Sequence, residues 1–137
     1  MQLLLVSPIL PGQTEACRRF VQKINAGWGD AYTASRAGMD IHEERIWIHE
    51  TATAATVIFL IETGSPVAML DALARSQHPF DCWFRQQILV LLGQDLAEAR
   101  HQLMPELVPG WREEQSINLT DLTNCILHTQ GETDHVQ

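Results

Sequence analysis

The chain predicts an α+β domain of the ferredoxin-like kind, a split βαβ arrangement whose antiparallel four-stranded sheet pairs with a second copy as a dimeric α/β barrel. Three observations carry that expectation. Two strand-like runs stand almost back to back at residues 43–50 and 55–62. The second of them, Ala55-Thr56-Val57-Ile58-Phe59-Leu60-Ile61-Glu62, is apolar on both of its faces, because successive side chains of a strand point to opposite sides. The segments around the pair alternate strand, helix, strand, strand, helix.

Taken in order, Leu3-Leu4-Leu5-Val6-Ser7-Pro8-Ile9 is a first strand with apolar residues on both faces. Pro11-Gly12 turns the chain into a helix in which Cys17, Phe20, Val21 and Ile24 recur at i, i+3, i+4 and i+7, the spacing of one buried stripe. Gly27 and Gly29 interrupt it, and a second helical piece at 30–37 is expected to stop at Gly38, the natural left-handed terminator. Residues 43–50 alternate, with Glu44, Ile46, Ile48 and Glu50 on one face and Arg45, Trp47 and His49 on the other. After the next strand, Ser65-Pro66 supplies an N-cap and an N1 proline. The helix so opened is expected to bury Val67, Leu70, Leu73 and Ala74. Gln77-His78-Pro79 breaks the pattern, and a further helix from about Phe80 to Leu92 carries the stripe Phe80, Phe84, Ile88 and Leu91 before Gly93 stops it. Residues 105–111 hold two prolines, which restricts any strand there to a sheet edge.

One helical layer covers one face of such a sheet. The strands at 3–6 and 57–61 are apolar on the other face as well, and a second copy of the sheet is the economical cover. A homodimer is therefore expected. Residues 1–111 make up the domain, and 112–137 are a polar tail in which Thr120 would cap a short helix packed on the domain or on the partner subunit.

Composition narrows the function classes. The 137 residues are 45% apolar and carry a net charge of −8, with a single lysine among nine basic residues. A phosphate backbone demands clustered cations, and Arg18-Arg19 with Lys23 is the densest cluster present, so nucleic acid and anionic membrane surfaces are not expected partners. No run approaches the ~20 apolar residues of a membrane span. Three widely spaced cysteines without a C-x-x-C, and an apolar start lacking a basic lead-in, point to a reducing, cytoplasmic setting. No cofactor and no metal is expected: Cys125-x-x-His128 with His135 lacks a fourth ligand of suitable spacing, and there is no phosphate-binding glycine loop and no G-x-S-x-G.

Three segments together resemble a known family. They are Pro8-Ile9-Leu10-Pro11-Gly12-Gln13-Thr14-Glu15-Ala16, Glu44-Arg45-Ile46-Trp47-Ile48, and residues 76–95 with Pro79-Phe80-Asp81-x-Trp83-Phe84-Arg85 inside them. The chain resembles small bacterial proteins of the dimeric α/β-barrel superfamily, to which cofactor-independent monooxygenases of the antibiotic-biosynthesis type also belong. The resemblance spans residues 3–111. It implies the fold and the dimer, and it transfers no catalytic residue.

Candidate functional groups fall into three sets. Arg45, Trp47 and His49 place a cation, an aromatic plane and an imidazole in one row, suited to an anionic or aromatic ligand or, more simply, to a subunit interface. His78, Asp81 and Trp83 gather at a helix start, where an Asp-oriented imidazole would make a general base and where a helix cap is the plainer reading. Arg36 and His42 flank the loop before the alternating strand, a place for ligand-binding groups or for a cation satisfying a helix end. The sequence thus favours binding of a small aromatic or anionic organic molecule, with Arg36, His42, Arg45, Trp47 and Trp83 as ligand-binding residues. The alternatives are a cofactor-independent oxygenase or isomerase using His49, His78 or Asp81 for proton transfer, and a purely structural dimer.

Overall fold

The computed structural model describes residues 1–98. Among these residues three strands and four helices follow one another: β1 (Gln2–Pro8), α1 (Thr14–Ala26), α2 (Gly29–Gly38), β2 (Ile41–Glu50), β3 (Ala55–Thr63), α3 (Pro66–Arg75) and α4 (Pro79–Leu92). β3 lies in the middle of the sheet and pairs antiparallel with β1 on one side and β2 on the other, giving the order β1-β3-β2. β1 and β2 therefore run parallel with β3 between them, which is the split βαβ connection expected of a ferredoxin-like sheet. Three strands are seen; the segment expected to add a fourth, at 105–111, and the tail at 112–137 lie outside the described residues.

Register decides what each face of the sheet carries. Leu3, Ile61 and Glu44 form one row on the inner face, Leu5, Phe59 and Ile46 the next, and Ser7, Val57 and Ile48 the third. These residues meet the buried stripes of the helices: Cys17, Phe20 and Ile24 from α1, Leu70 and Leu73 from α3, and Phe80, Phe84, Ile88 and Leu91 from α4. The outer face carries Leu4–Leu60–Arg45 and Val6–Ile58–Trp47 in corresponding rows. Leu4, Val6 and Trp47 are about half exposed there, at 47%, 58% and 45%.

Local chemistry sets the element ends. Gly12, at φ +80°, makes the turn into α1, a conformation that costs glycine nothing. Ser65 Oγ accepts the Ala68 N–H at 3.3 Å, capping α3 behind Pro66 at its first turn. Gly93 closes α4 in the left-handed region at φ +69°, its N–H donated to the Leu89 carbonyl. The end of α2 differs from expectation. Gly38 stays helical, and Asp40 takes the left-handed position at φ 56°, which a short polar side chain tolerates. α3 is also turned relative to the expected stripe: Met69 is buried and Val67 is half exposed. With Pro66 itself buried at the N-terminus, the face that meets the sheet is 66, 69, 70 and 73, the same i, i+3, i+4 spacing shifted by one residue.

Candidate functional site

The last turn of α2 sends two polar residues inward. Ser35 and Arg36 are both buried, at 7% exposure each, because this turn faces the start of α4 and the inner face of β2. Glu44 lies on that face, in phase with Ile46 and Ile48, and its carboxylate meets Arg36. The Nε–Oε2 separation is 3.2 Å, and the two side chains are 8% and 4% exposed. The approach is close enough for ion pairing, yet Arg36 Nε is off-line and donates no hydrogen bond among the described residues. Arg36 Nη2 donates to Glu44 Oε1 at 3.5 Å, and Nη1 to Ser35 Oγ at 3.2 Å.

Asp81 completes the group from the first turn of α4. It is 3% exposed, and its Oδ1 stands 3.9 Å from Arg36 Nη1. Ser35 donates to Oδ1 and Ser76 to Oδ2, each at 2.5 Å, so both carboxylate oxygens are held by hydroxyls. This is how a buried carboxylate is made tolerable: a cation close by and hydrogen bonds to each oxygen. Tyr32, one turn before Arg36, donates its hydroxyl to Glu44 Oε1 at 3.1 Å. Burial and the Glu44 charge push that phenol up to about 12, against a smaller lowering by Arg36. The guanidinium also lies over three rings, 4.7 Å from the Phe84 centroid, 5.1 Å from Tyr32 and 5.3 Å from Phe80, within range of cation–π attraction.

Beside this charged group is a cavity of about 300 Å³. Leu5, Phe59 and Ile61 of the sheet form its floor, and Leu70 and Leu73 of α3 with Phe84 and Ile88 of α4 form its roof. Arg36 and Glu44 line one end, and Ser7 and Gln94 add polar atoms elsewhere on its wall. Core voids larger than a water molecule are few in any domain, and one of this size lies at the lower edge of the range for ligand pockets, about 300–1,000 Å³.

The residues singled out from the sequence are distributed over five places. Arg36 lines the cavity, and Asp81 sits behind Arg36, engaged by the two serines. His78 caps α4, its Nδ1 accepting the Phe80 N–H at 3.2 Å. Trp83 belongs to an aromatic cluster on the same helix, its ring 5.3 Å from Phe20 and from Trp28. Arg45, Trp47 and His49 share the exposed outer face, where Arg45 Nε donates to Glu43 Oε1 at 2.6 Å. His42 is exposed beside Asp40, with 3.0 Å between Nε2 and Oδ1.

Comparison with known proteins gives no match, either to a family model, to a curated protein or to a solved structure. The site is therefore read from its own geometry. Glu44, Tyr32, Ser35 and Ser76 were not anticipated as site residues. For Glu44 a signal existed: a carboxylate in phase with Ile46 and Ile48 on the apolar face of its strand must find a buried cation. For Ser35 and Ser76 there was none, since a serine at a helix end is ordinary. Among the described residues no helix is long and apolar enough to cross a membrane, and no three metal-ligating side chains come together.

Proposed function

We propose that the protein binds a small, largely apolar organic molecule in the cavity between the sheet and helices α3 and α4. The observation that carries this reading is the cavity itself: largely apolar walls, one charged end, and a partial opening to solvent through which a molecule can enter. A ligand there would take apolar side chains out of water, at about 25 cal/mol per Å² of apolar surface removed. An apolar cavity of about 150 Å³ already takes up benzene, so a molecule of one ring or slightly more fits this one.

Of His49, His78 and Asp81, only Asp81 is buried, and its two oxygens are occupied by Ser35 and Ser76. That favours binding over turnover. The outer sheet face supports a second part of the proposal, that two copies pair through it. Leu4, Val6, Ile58, Leu60 and Trp47 form a continuous apolar surface in register across three strands, a patch of the sort that marks an association site.

Titration of the full chain with toluene tests the binding reading. Saturable shifts in the NMR signals of Leu70, Leu73 and Ile88 are expected, with a rise in melting temperature; ligand at 100 times its Kd adds about 2.7 kcal/mol. Ile88→Phe or Leu73→Phe, each filling part of the void, should weaken toluene binding. Shifts that never saturate, or a Kd unchanged in both variants, would remove the cavity as the site.

A further inference from the structure

We infer that the ligand presents an uncharged donor–acceptor group to the polar end of the cavity, as a carboxamide does, and that a carboxylate is excluded. This rests on the cavity being the binding site. A guanidinium has five N–H donors. Arg36 uses two of them, toward Ser35 Oγ and Glu44 Oε1, and its buried Nε–H stands against Glu44 Oε2, so one N–H on each terminal nitrogen is without a partner among the described residues. Unmet buried donors beside a cavity call for an acceptor on the molecule that fills it. Glu44 offers the converse. Its Oε1 accepts from Tyr32 and Arg36, whereas Oε2 has the off-line ion contact with Arg36 Nε and accepts no hydrogen bond among the described residues. The pair thus presents donors and an acceptor side by side.

Charge decides between the molecules that could use them. One guanidinium faces two carboxyl groups, Glu44 at 3.2 Å and Asp81 at 3.9 Å, so the ionised cluster carries one net negative charge. A carboxylate ligand would find the cation already claimed and would bring a third negative charge into a site walled by leucine, isoleucine and phenylalanine, where unpaired charge is heavily penalised. A carbonyl oxygen satisfies Arg36 without adding charge, and an adjacent N–H or O–H satisfies Glu44 Oε2. A hydrocarbon of the same shape fills the void and leaves both groups unmet, and sites with buried polar groups discriminate strongly against such analogues.

The test is a matched series on the intact chain, measured by calorimetry or NMR: benzamide, benzoate and toluene, with wild type and Glu44→Gln. Benzamide is expected to bind at least about tenfold more tightly than either of the others. Glu44→Gln removes the surplus negative charge and should narrow the gap between benzoate and benzamide by about tenfold or more. Benzoate or toluene binding as tightly as benzamide to the wild type would overturn the inference while leaving the cavity reading intact. Saturable binding by none of the three would overturn both. The wild-type ranking decides the matter even if Glu44→Gln does not fold.

Discussion

Replacing Glu44 by alanine should destabilise the domain by about 3 kcal/mol, because it removes the nearer of the two carboxylates that face a buried guanidinium. The Arg36 and Glu44 side chains are 8% and 4% exposed with 3.2 Å between Nε and Oε2. At an effective dielectric constant near 20 that separation corresponds to a gross attraction of about 5 kcal/mol. Asp81 at 3.9 Å offsets only part of that loss, being farther away and engaged also by Ser35 and Ser76. The Tyr32 hydroxyl loses its acceptor as well, which adds about 1 kcal/mol. Urea unfolding followed by tryptophan fluorescence reads the effect; with an m-value of about 1.5 kcal/mol/M, the midpoint should fall by roughly 2 M or more. The triple variant Arg36→Met/Glu44→Leu/Asp81→Asn removes all three charges, keeps an acceptor for the serine hydroxyls, and should recover most of the loss, since buried ionic groups and apolar groups of similar volume are often nearly equal in stability. A loss below about 1 kcal/mol for Glu44→Ala is the value for a solvated surface pair and would refute the reasoning. So would a triple variant no more stable than the single one.

Two further outcomes are expected. The Tyr32 phenol, held up to about 12 chiefly by burial and then by Glu44, keeps its proton in the folded chain after the unfolded chain, with an ordinary value near 10, has lost it. Its stabilising effect is therefore complete below about pH 10 and is lost as the pH rises through 12; Tyr32→Phe should flatten the stability profile across that window, and an unchanged slope would count against the buried position of the hydroxyl. On the outer face, Trp47→Glu puts a charge in the Val6–Ile58–Trp47 row and should weaken self-association by about tenfold or more, seen by light scattering as a shift from dimer toward monomer; a wild-type chain monomeric at tens of micromolar would contradict pairing through this face.

Much of the fold was legible because its signals are local. The i, i+3, i+4 stripes of α1 and α4, the cap at Ser65-Pro66 and the stop at Gly93 each depend on a few neighbouring residues, and each is found where those residues place it. The doubly apolar run at 57–61 is a strand as expected, and it takes the centre of the sheet. Where the reading slipped, longer-range geometry decided. α3 buries Pro66 and Met69 where Val67 was expected, and at the end of α2 the left-handed position falls to Asp40, just before β2, while Gly38 stays helical.

The site was less legible, for a physical reason. Arg36, Glu44 and Asp81 are brought together from two helices and a strand, and nothing in the spacing of 36, 44 and 81 encodes a 3–4 Å approach. Arg36 was noticed as a loop-flanking cation, and Asp81 as a first-turn acid whose partner was sought in His78. A void is harder still to foresee, because it arises from how α3 and α4 stand off the sheet and leaves no mark on residues that are all ordinary core formers.

The most direct measurement of the central claim is the location of a bound probe. In a full chain with labelled methyl groups and saturating toluene, intermolecular nuclear Overhauser effects are predicted to the methyls of Met69, Leu70, Leu73 and Ile88, which line the cavity. Their absence, or contacts instead to Leu4, Ile58 and Leu60 on the outer face, would contradict the account.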